Sequence, residues 1–136
     1  MIMSEFHTVE CIEINDEKCL VESLEIMGYQ PEVHKIAKKL FGYQGDFRSQ
    51  KAHVVIPRKQ ISSSSNDIGF EKQDKGYAMH ISDFDQRQNY FSEDKFKKIY
   101  NEKKLTKELV SNRGFVLRSR KVENDGTVRL RLAKLY

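Results

Sequence analysis

The residues whose types and spacing could do chemistry fall into four polar groups. In Tyr43-Gln44-Gly45-Asp46, Gly45 permits a tight turn and Asp46 can bond the backbone beyond it, so turn chemistry is the plain reading and a ligand or partner contact the sharper one. Asn66-Asp67 follows a serine run and precedes Ile68-Gly69-Phe70. Successive loop amides there can form an anion-binding nest, but the Gly-Lys-Ser/Thr ending of a phosphate loop is missing. The third group is His53, His80, Asp83 and Asp85. If the two histidine strands pair, both imidazoles can meet on one sheet face near Asp83, a set suited to a metal ion or to acid–base work. No His-x-x-x-His spacing supports it, and separate half-buried histidines are the simpler reading.

The fourth group is basic. Arg118 and Arg120 on one strand, with Arg129 and Arg131 on its partner, can form a patch that attracts phosphates, although no aromatic stands between them for bases to stack on. Nucleophile chemistry is not prompted: Gly-x-Ser-x-Gly is absent, and neither Cys11 nor Cys19 has a helix-and-base context. Two cysteines make no disulfide framework, and both read as ordinary reduced thiols.

The elements that must position these groups are legible in part. Phe6 to Ile14 alternates as a strand. Asn15 or Asp16 then caps a helix whose Leu20, Val21, Leu24 and Met27 repeat at helical spacing and whose stop is Gly28. Tyr29 to Phe41 reads two ways, extended at Pro31-Glu32-Val33 and helical in Val33, Ile36, Ala37 and Leu40. Lys51 to Pro57 alternates as a strand, Ser62 to Asn66 is a loop, and Asp67–Lys72 with Tyr77–Ser82 makes a hairpin. Ser92 caps a last helix with Phe96, Ile99 and Tyr100 on its buried face. Leu105, Leu109 and Val110 continue that face after a phase shift that suggests a kink near Lys103, and Gly114 ends the helix. Phe115–Glu123 and Thr127–Leu135 close the chain as a hairpin about Asn124-Asp125-Gly126, with Val128, Leu130 and Leu132 inward.

These elements predict an α+β fold: a ferredoxin-like, antiparallel-rich sheet with two main helices on one face, extra strands and a C-terminal hairpin. One domain over residues 1–136 is expected, since 136 residues suffice for one core and eight Phe with six Tyr argue against disorder. No apolar run reaches the roughly 20 residues that span a bilayer, and the first residues lack a secretory signal, so the expectation is a cytoplasmic protein without a membrane partner. The net charge of +4 conceals a polarity. Residues 1–30 carry seven acids against Lys18, and residues 113–136 carry seven bases against Glu123 and Asp125. The two ends can attract each other or face different partners.

Taken together, Met3-Ser4-Glu5-Phe6-His7-Thr8, Tyr43-Gln44-Gly45-Asp46, Lys51-Ala52-His53-Val54-Val55-Ile56, Asp67-Ile68-Gly69-Phe70 and Asp125-Gly126-Thr127-Val128 with Leu130 resemble an uncharacterised conserved family. It is the hypothetical chloroplast reading frame thirty-five, found in plastids and cyanobacteria with wider bacterial relatives. The chain departs from the plastid pattern between Asp83 and Tyr90, where relatives carry a tryptophan and this sequence has none. The resemblance implies an accessory protein, an adaptor for an AAA+ ATPase, and no reaction; with the charge polarity and the absent catalytic signatures, it leads to an accessory subunit of an ATPase-driven or redox assembly as the expectation.

The expectation is therefore a non-catalytic interaction module with a protein partner, no cofactor and no metal. Ligand or partner contacts are expected at Tyr43, Gln44, Asp46, Lys51, His53, Asn66, Asp67, His80 and Asp83. Two alternatives stand beside it: nucleic-acid binding through Arg118, Arg120, Arg129 and Arg131, and a small enzyme or metal site around His53, His80 and Asp83.

Overall fold

The computed structural model describes residues 6–11, 14–113, 115–124 and 128–134. The chain runs β1 (Phe6–Cys11), α1 (Glu17–Ile26), β2 (Glu32–Phe41), β3 (Phe47–Ile56), a 3₁₀ turn at Arg58–Gln60, β4 (Ile68–Gln73), β5 (Gly76–Ser82), α2 (Asp83–Arg87), α3 (Glu93–Arg113), β6 (Phe115–Val122) and β7 (Val128–Lys134). Five strands form one sheet in the order β1-β5-β4-β3-β2, every neighbouring pair antiparallel. β1 and β2, joined by α1, therefore run parallel at opposite edges, with the β3-β4-β5 meander filling the space between them. β6 and β7 pair with each other as a separate hairpin.

One sheet face is closed by the two long helices. Val54, Ile56, Ile68, Phe70, Met79 and Ile81 come from three adjacent strands and share one core with Leu20 and Leu24 of α1 and Phe96 and Tyr100 of α3. Each such side chain removed from water contributes about 1.5–3 kcal/mol. Phe70, Phe91 and Phe96 meet at ring-centroid distances of 5.4 to 6.4 Å, where tilted and edge contacts are favourable. The Tyr100 hydroxyl accepts from the Asn15 and Asp16 amides at 3.0 and 3.1 Å, which ties α3 to the entrance of α1.

The opposite face holds a smaller cluster of Leu40, Ala52 and Val55, built on a close approach. β3 pairs with β4 only from Val54 to Ile56. At His53 the ladder ends, and the imidazole Nδ1 accepts the Lys72 amide at 2.9 Å in place of a strand carbonyl. The β2–β3 ribbon then lies over Gly69, where an added Cβ would stand 2.5 Å from the Ala52 Cβ and 2.9 Å from a Leu40 methyl. Glycine is required there by space, not by backbone angle.

The expected α+β class, with an antiparallel sheet, two main helices on one face, further strands and a terminal hairpin, is what the chain forms. The second strand–helix–strand unit does not return to the sheet as two packed units would, because β6 finds its partner in β7. The ambiguous Tyr29–Phe41 segment is strand β2 from Glu32, and β3 starts at Phe47, ahead of the expected Lys51. Asp16 is the α1 cap, accepting the Cys19 amide at 3.0 Å, and Gly28 stops the helix at φ 98°. α3 is one unbroken helix, and its second half does not bury the expected stripe, since Leu105 and Val110 are 49% and 40% exposed. The expected stop at Gly114, the Asp125-Gly126 turn, residues 1–5, Ile12, Glu13, Thr127 and Leu135 lie outside the described residues, as do the side chains of Cys11, Val128, Leu130 and Leu132.

Two outcomes follow from this packing. Gly69→Ala should lower stability by roughly 1–3 kcal/mol in urea unfolding, the usual cost of overpacking a closed contact, and an unchanged midpoint would show that the ribbon does not lie on Gly69. At Asp16, partial burial raises the carboxyl pKa, but the Lys107 ammonium and the Cys19 amide outweigh it and hold the value at about 2, below the ordinary 3.8. A lowered folded-state pKa adds stability above 3.8 that is lost as pH falls toward 2. Asp16→Asn, which keeps the cap, should therefore cost about 1 kcal/mol at neutral pH, and thermal melts of the two proteins should converge near pH 2.

Candidate functional site

The densest polar assembly lies where the 42–46 turn, the 57–67 loop and the start of α2 meet. Ser65, Asn66, Asp67, Ser82 and Asp85 are all buried there. Asp67 stands at the entrance to β4. One carboxylate oxygen accepts the Phe41 amide at 2.8 Å and the other the Arg58 amide at 2.7 Å, while the Asp67 amide donates back to the Phe41 carbonyl at 2.9 Å. The end of β2 and the loop after β3 are thus fastened to β4 by one side chain. Asn66 does the same for its neighbours: its Oδ1 accepts from the Tyr43 amide at 2.9 Å and its Nδ2 donates to the Ser82 hydroxyl at 2.9 Å. Arg58 donates Nε to the Ser65 carbonyl and Nη2 to the carbonyls of Tyr43 and Ser63.

Asp85 completes the assembly from below. Its Oδ2 accepts the Asn66 amide at 3.1 Å, its own amide donates to the Ser82 hydroxyl that caps α2, and its Oδ1 has no hydrogen-bond partner among the described residues. Burial pushes the carboxyl pKa of Asp85 up, against the opposing pull of the Asn66 amide and the Ser82 hydroxyl. Burial also raises Asp67, against the Phe41 and Arg58 amides.

The remaining sequence-predicted residues are not drawn into this cluster. Among the described residues Gln44 reaches the Tyr43 hydroxyl at 3.2 Å, and Asp46 lies 3.4 Å from the Arg48 guanidinium across the turn. Lys51 is exposed on the ribbon. His53 is committed to the Lys72 amide and buried His80 to Glu71, at 2.9 Å each, while Asp83 lies on α2, 3.9 Å from Arg87. The strands of the two histidines are separated by β4, so these side chains do not form the anticipated constellation. Among the described residues no group of three or more His, Cys, Asp or Glu is arranged to hold a metal ion.

The expected four-arginine patch is divided as well. Register places Arg129 opposite Lys121 and Arg131 opposite Ser119, whereas Arg120 stands opposite Leu130 and so projects from the other face. There Arg120 pairs with Glu102 of α3. A register shift between Leu117 and Ser119 removes Arg118 from simple alternation, and Arg129 is held by Glu123 at 2.8 Å.

Sequence reasoning singled out Asn66, Asp67 and Tyr43 but not Arg58, Ser65 or Ser82. The pattern Ser82-x-x-Asp85 is a capping signature that could have marked α2. Nothing comparable marks Arg58 and Ser65, whose partners are mainly backbone atoms. Beside the cluster is an open hollow of about 380 Å³, its walls including Lys38, Phe41, Arg58, Lys59 and Asp67. Its Asp67 carboxylate and its Arg58 guanidinium are already engaged with the backbone, and Glu32, also on its wall, lies 3.7 Å from the Lys38 ammonium and 3.2 Å from His34.

A family model described as a protein of unknown function, DUF1257, matches residues 23–131. The chain belongs to this family. The DUF1257 match takes in every candidate residue named above, from Tyr43 to Arg131, and the whole of the polar cluster. No curated protein and no solved structure matches the chain.

The two buried acids should respond differently to neutral isosteres. Asp67→Asn sets an amide NH₂ against a backbone N–H and should cost roughly 1–3 kcal/mol. Asp85→Asn removes a buried charge whose second oxygen is unpaired, and should be neutral or stabilising at pH 7. Because the folded-state pKa of Asp85 is raised, its contribution is favourable below 3.8 and lost as pH rises through the folded value, so the variant should also show a flatter pH–stability curve. Equal losses in both variants by chemical denaturation would contradict this division of roles.

Proposed function

We propose that this member of the DUF1257 family is a non-catalytic binding module, acting as one cytosolic domain that presents charged outer surfaces to a macromolecular partner. The carrying observation is the commitment of the polar cluster: both oxygens of Asp67, both ends of the Asn66 amide and the Arg58 guanidinium are engaged in fastening chain to chain. A reaction centre needs a titratable group directed at substrate, and here Asp67, Arg58 and the Asn66 carbonyl are directed at backbone and the Asn66 amide nitrogen at the Ser82 hydroxyl. The finer implications of the resemblance, membership of the plastid reading-frame group and an accessory role beside an AAA+ ATPase or a redox assembly, are forms of the same proposal. The C-terminal arginines remain a second basic surface, weakened as a nucleic-acid site by the Arg120–Glu102 and Arg129–Glu123 pairs.

The test is the state of the native chain in its own cells. Extracted gently at physiological ionic strength, it should elute in an assembly well above its own 16.0 kDa. Elution of the free chain alone would remove the basis of the proposal.

A further inference from the structure

β2 and β3 fall out of step at one place. Between the matched pairs Val33–Val54 and Lys38–Ala52, residues 34–37 stand against His53 alone. The β3–β4 ladder stops beside the same residue, its last pair in that direction being Val54–Phe70. A bulge re-aims the side chains it carries and is common beside binding sites. This one borders a hollow of about 220 Å³, its wall including His34 and Lys35 of the bulge, His53, Lys72 and Tyr77 of the neighbouring strands and Glu17 of α1.

Most of these groups are proton donors. His53 Nδ1 accepts the Lys72 amide at 2.9 Å. A backbone N–H only donates, so the ring proton sits on Nε2, which is a donor without a partner among the described residues. Tyr77 stands directly opposite Lys72, so the two side chains share one sheet face. Tyr77 is only 4% exposed, yet its hydroxyl has no hydrogen-bond partner among the described residues. That hydroxyl is not sealed in the core, and Tyr77 meets open space on the wall of the hollow. Burial, with the charges of Glu17 and Asp16 adding to it, pushes its pKa up, so the hydroxyl keeps its proton. The ammonium groups of Lys35 and Lys72 are in no ion pair among the described residues, whereas His34 is already engaged with Glu32 at 3.2 Å.

We infer that this hollow binds a phosphate group, free or carried by a small ligand, with Lys35 and Lys72 balancing its charge and the Tyr77 hydroxyl and His53 Nε2 donating to its oxygens. The inference goes beyond the binding-module reading and does not depend on it, since its ligand is a small molecule. Volume sets the size: pockets for whole drug-sized ligands begin at roughly 300 Å³, so a hollow of about 220 Å³ takes one compact group and leaves the rest of a ligand outside. Charge sets the kind. A phosphate monoester carries about −1.5 to −2 at neutral pH on three strong acceptor oxygens, which suits two ammonium groups and two neutral donors better than the single charge of a carboxylate does. Glu17 is the one acid on the wall and opposes such a ligand.

The experiment is an NMR titration of the purified full chain with inorganic phosphate, phenyl phosphate and acetate at constant ionic strength, read at the Lys72 amide and the His53 ring. Phosphate or its ester should shift both signals saturably with a Kd of about 1 mM or tighter, and acetate should bind about tenfold more weakly. Tyr77→Phe keeps the ring in the core and should weaken phosphate binding roughly tenfold, the scale of a hydrogen bond to a charged group. Lys35→Met with Lys72→Met should weaken it by about as much or more. Glu17→Gln removes the opposing charge and should tighten it roughly threefold. Lys97→Met with Lys98→Met, both exposed on α3, removes the same net charge as the first lysine pair and should change little. Tighter binding of the ester would assign a phosphorylated ligand, and tighter binding of inorganic phosphate the ion itself. Shifts that do not saturate, acetate binding as tightly as phosphate, or equal loss in the α3 control overturns the inference. Such a failure leaves the elution of the native assembly, and with it the module reading, untouched.

Discussion

Asp67 holds three stretches of chain with one carboxylate, and the rest of the sheet's irregular edge depends on it. Its oxygens take the amide of Phe41, at the end of the ribbon that leaves β4 at His53, and the amide of Arg58, just past the last β3–β4 pair, Ile56–Ile68. An amide buried without an acceptor costs about 1–3 kcal/mol, so a ribbon that departs from its sheet requires a replacement acceptor at each point of departure. His53 supplies one for Lys72, Asp67 supplies two, and Asn66 supplies one for Tyr43. Burial raises the Asp67 pKa, and the two backbone amides oppose that rise by favouring the carboxylate. The convergence of these groups resembles an active site in composition, but its logic is that of a fastening.

Among the described residues, the polarity of charge along the chain is met by α3. Asp16, at the start of α1, pairs with Lys107 and lies 4.0 Å from Lys104, and Glu22 lies 3.5 Å from Lys103. Further along the same helix, Glu102 takes Arg120 from β6. Individually, exposed pairs of this kind contribute a few tenths of a kcal/mol to about one. Their arrangement gives α3 a second role beside its apolar one. Phe96 and Tyr100 bury its first half in the core, and its second half, with Leu105 and Val110 exposed, is joined to α1 and β6 chiefly through charge.

What the sequence reveals divides along the same line. Where apolar residues repeat at a single period and a cap is local, the elements are legible: Asp16 and Gly28 bound α1, Ser92 precedes α3, and the β4–β5 hairpin alternates. β2 is not legible, because register shifts at Val33/Lys38 and Lys39/Phe41 break the period of two, and because Ile36, which completes the apparent helical stripe, is 86% exposed. The start of β3, Phe47-Arg48-Ser49-Gln50, carries no apolar alternation since it pairs only with β2 beyond the sheet. The polar cluster is half legible for a related reason. Turn residues such as Asn66 and Asp67 announce themselves, but Arg58 acts on carbonyls five to fifteen positions away, and no local spacing encodes which carbonyls a folded loop will bring within reach.

The two basic surfaces differ in what surrounds them, and that difference bears on function more than their total charge does. On the C-terminal hairpin the guanidinium groups of Arg120 and Arg129 meet carboxylates of the same chain, so a phosphate arriving there must displace an existing pair. On the ribbon, Lys39 and Lys51 are direct cross-strand partners, and both are exposed. Elsewhere among the described residues local chemistry agrees with the fold: Asp16, Ser82 and Ser92 accept amides at the helix starts, and α1 acids meet α3 bases. A pair of opposed lysines breaks that agreement, and such local breaks are retained where a surface answers to something outside its own fold.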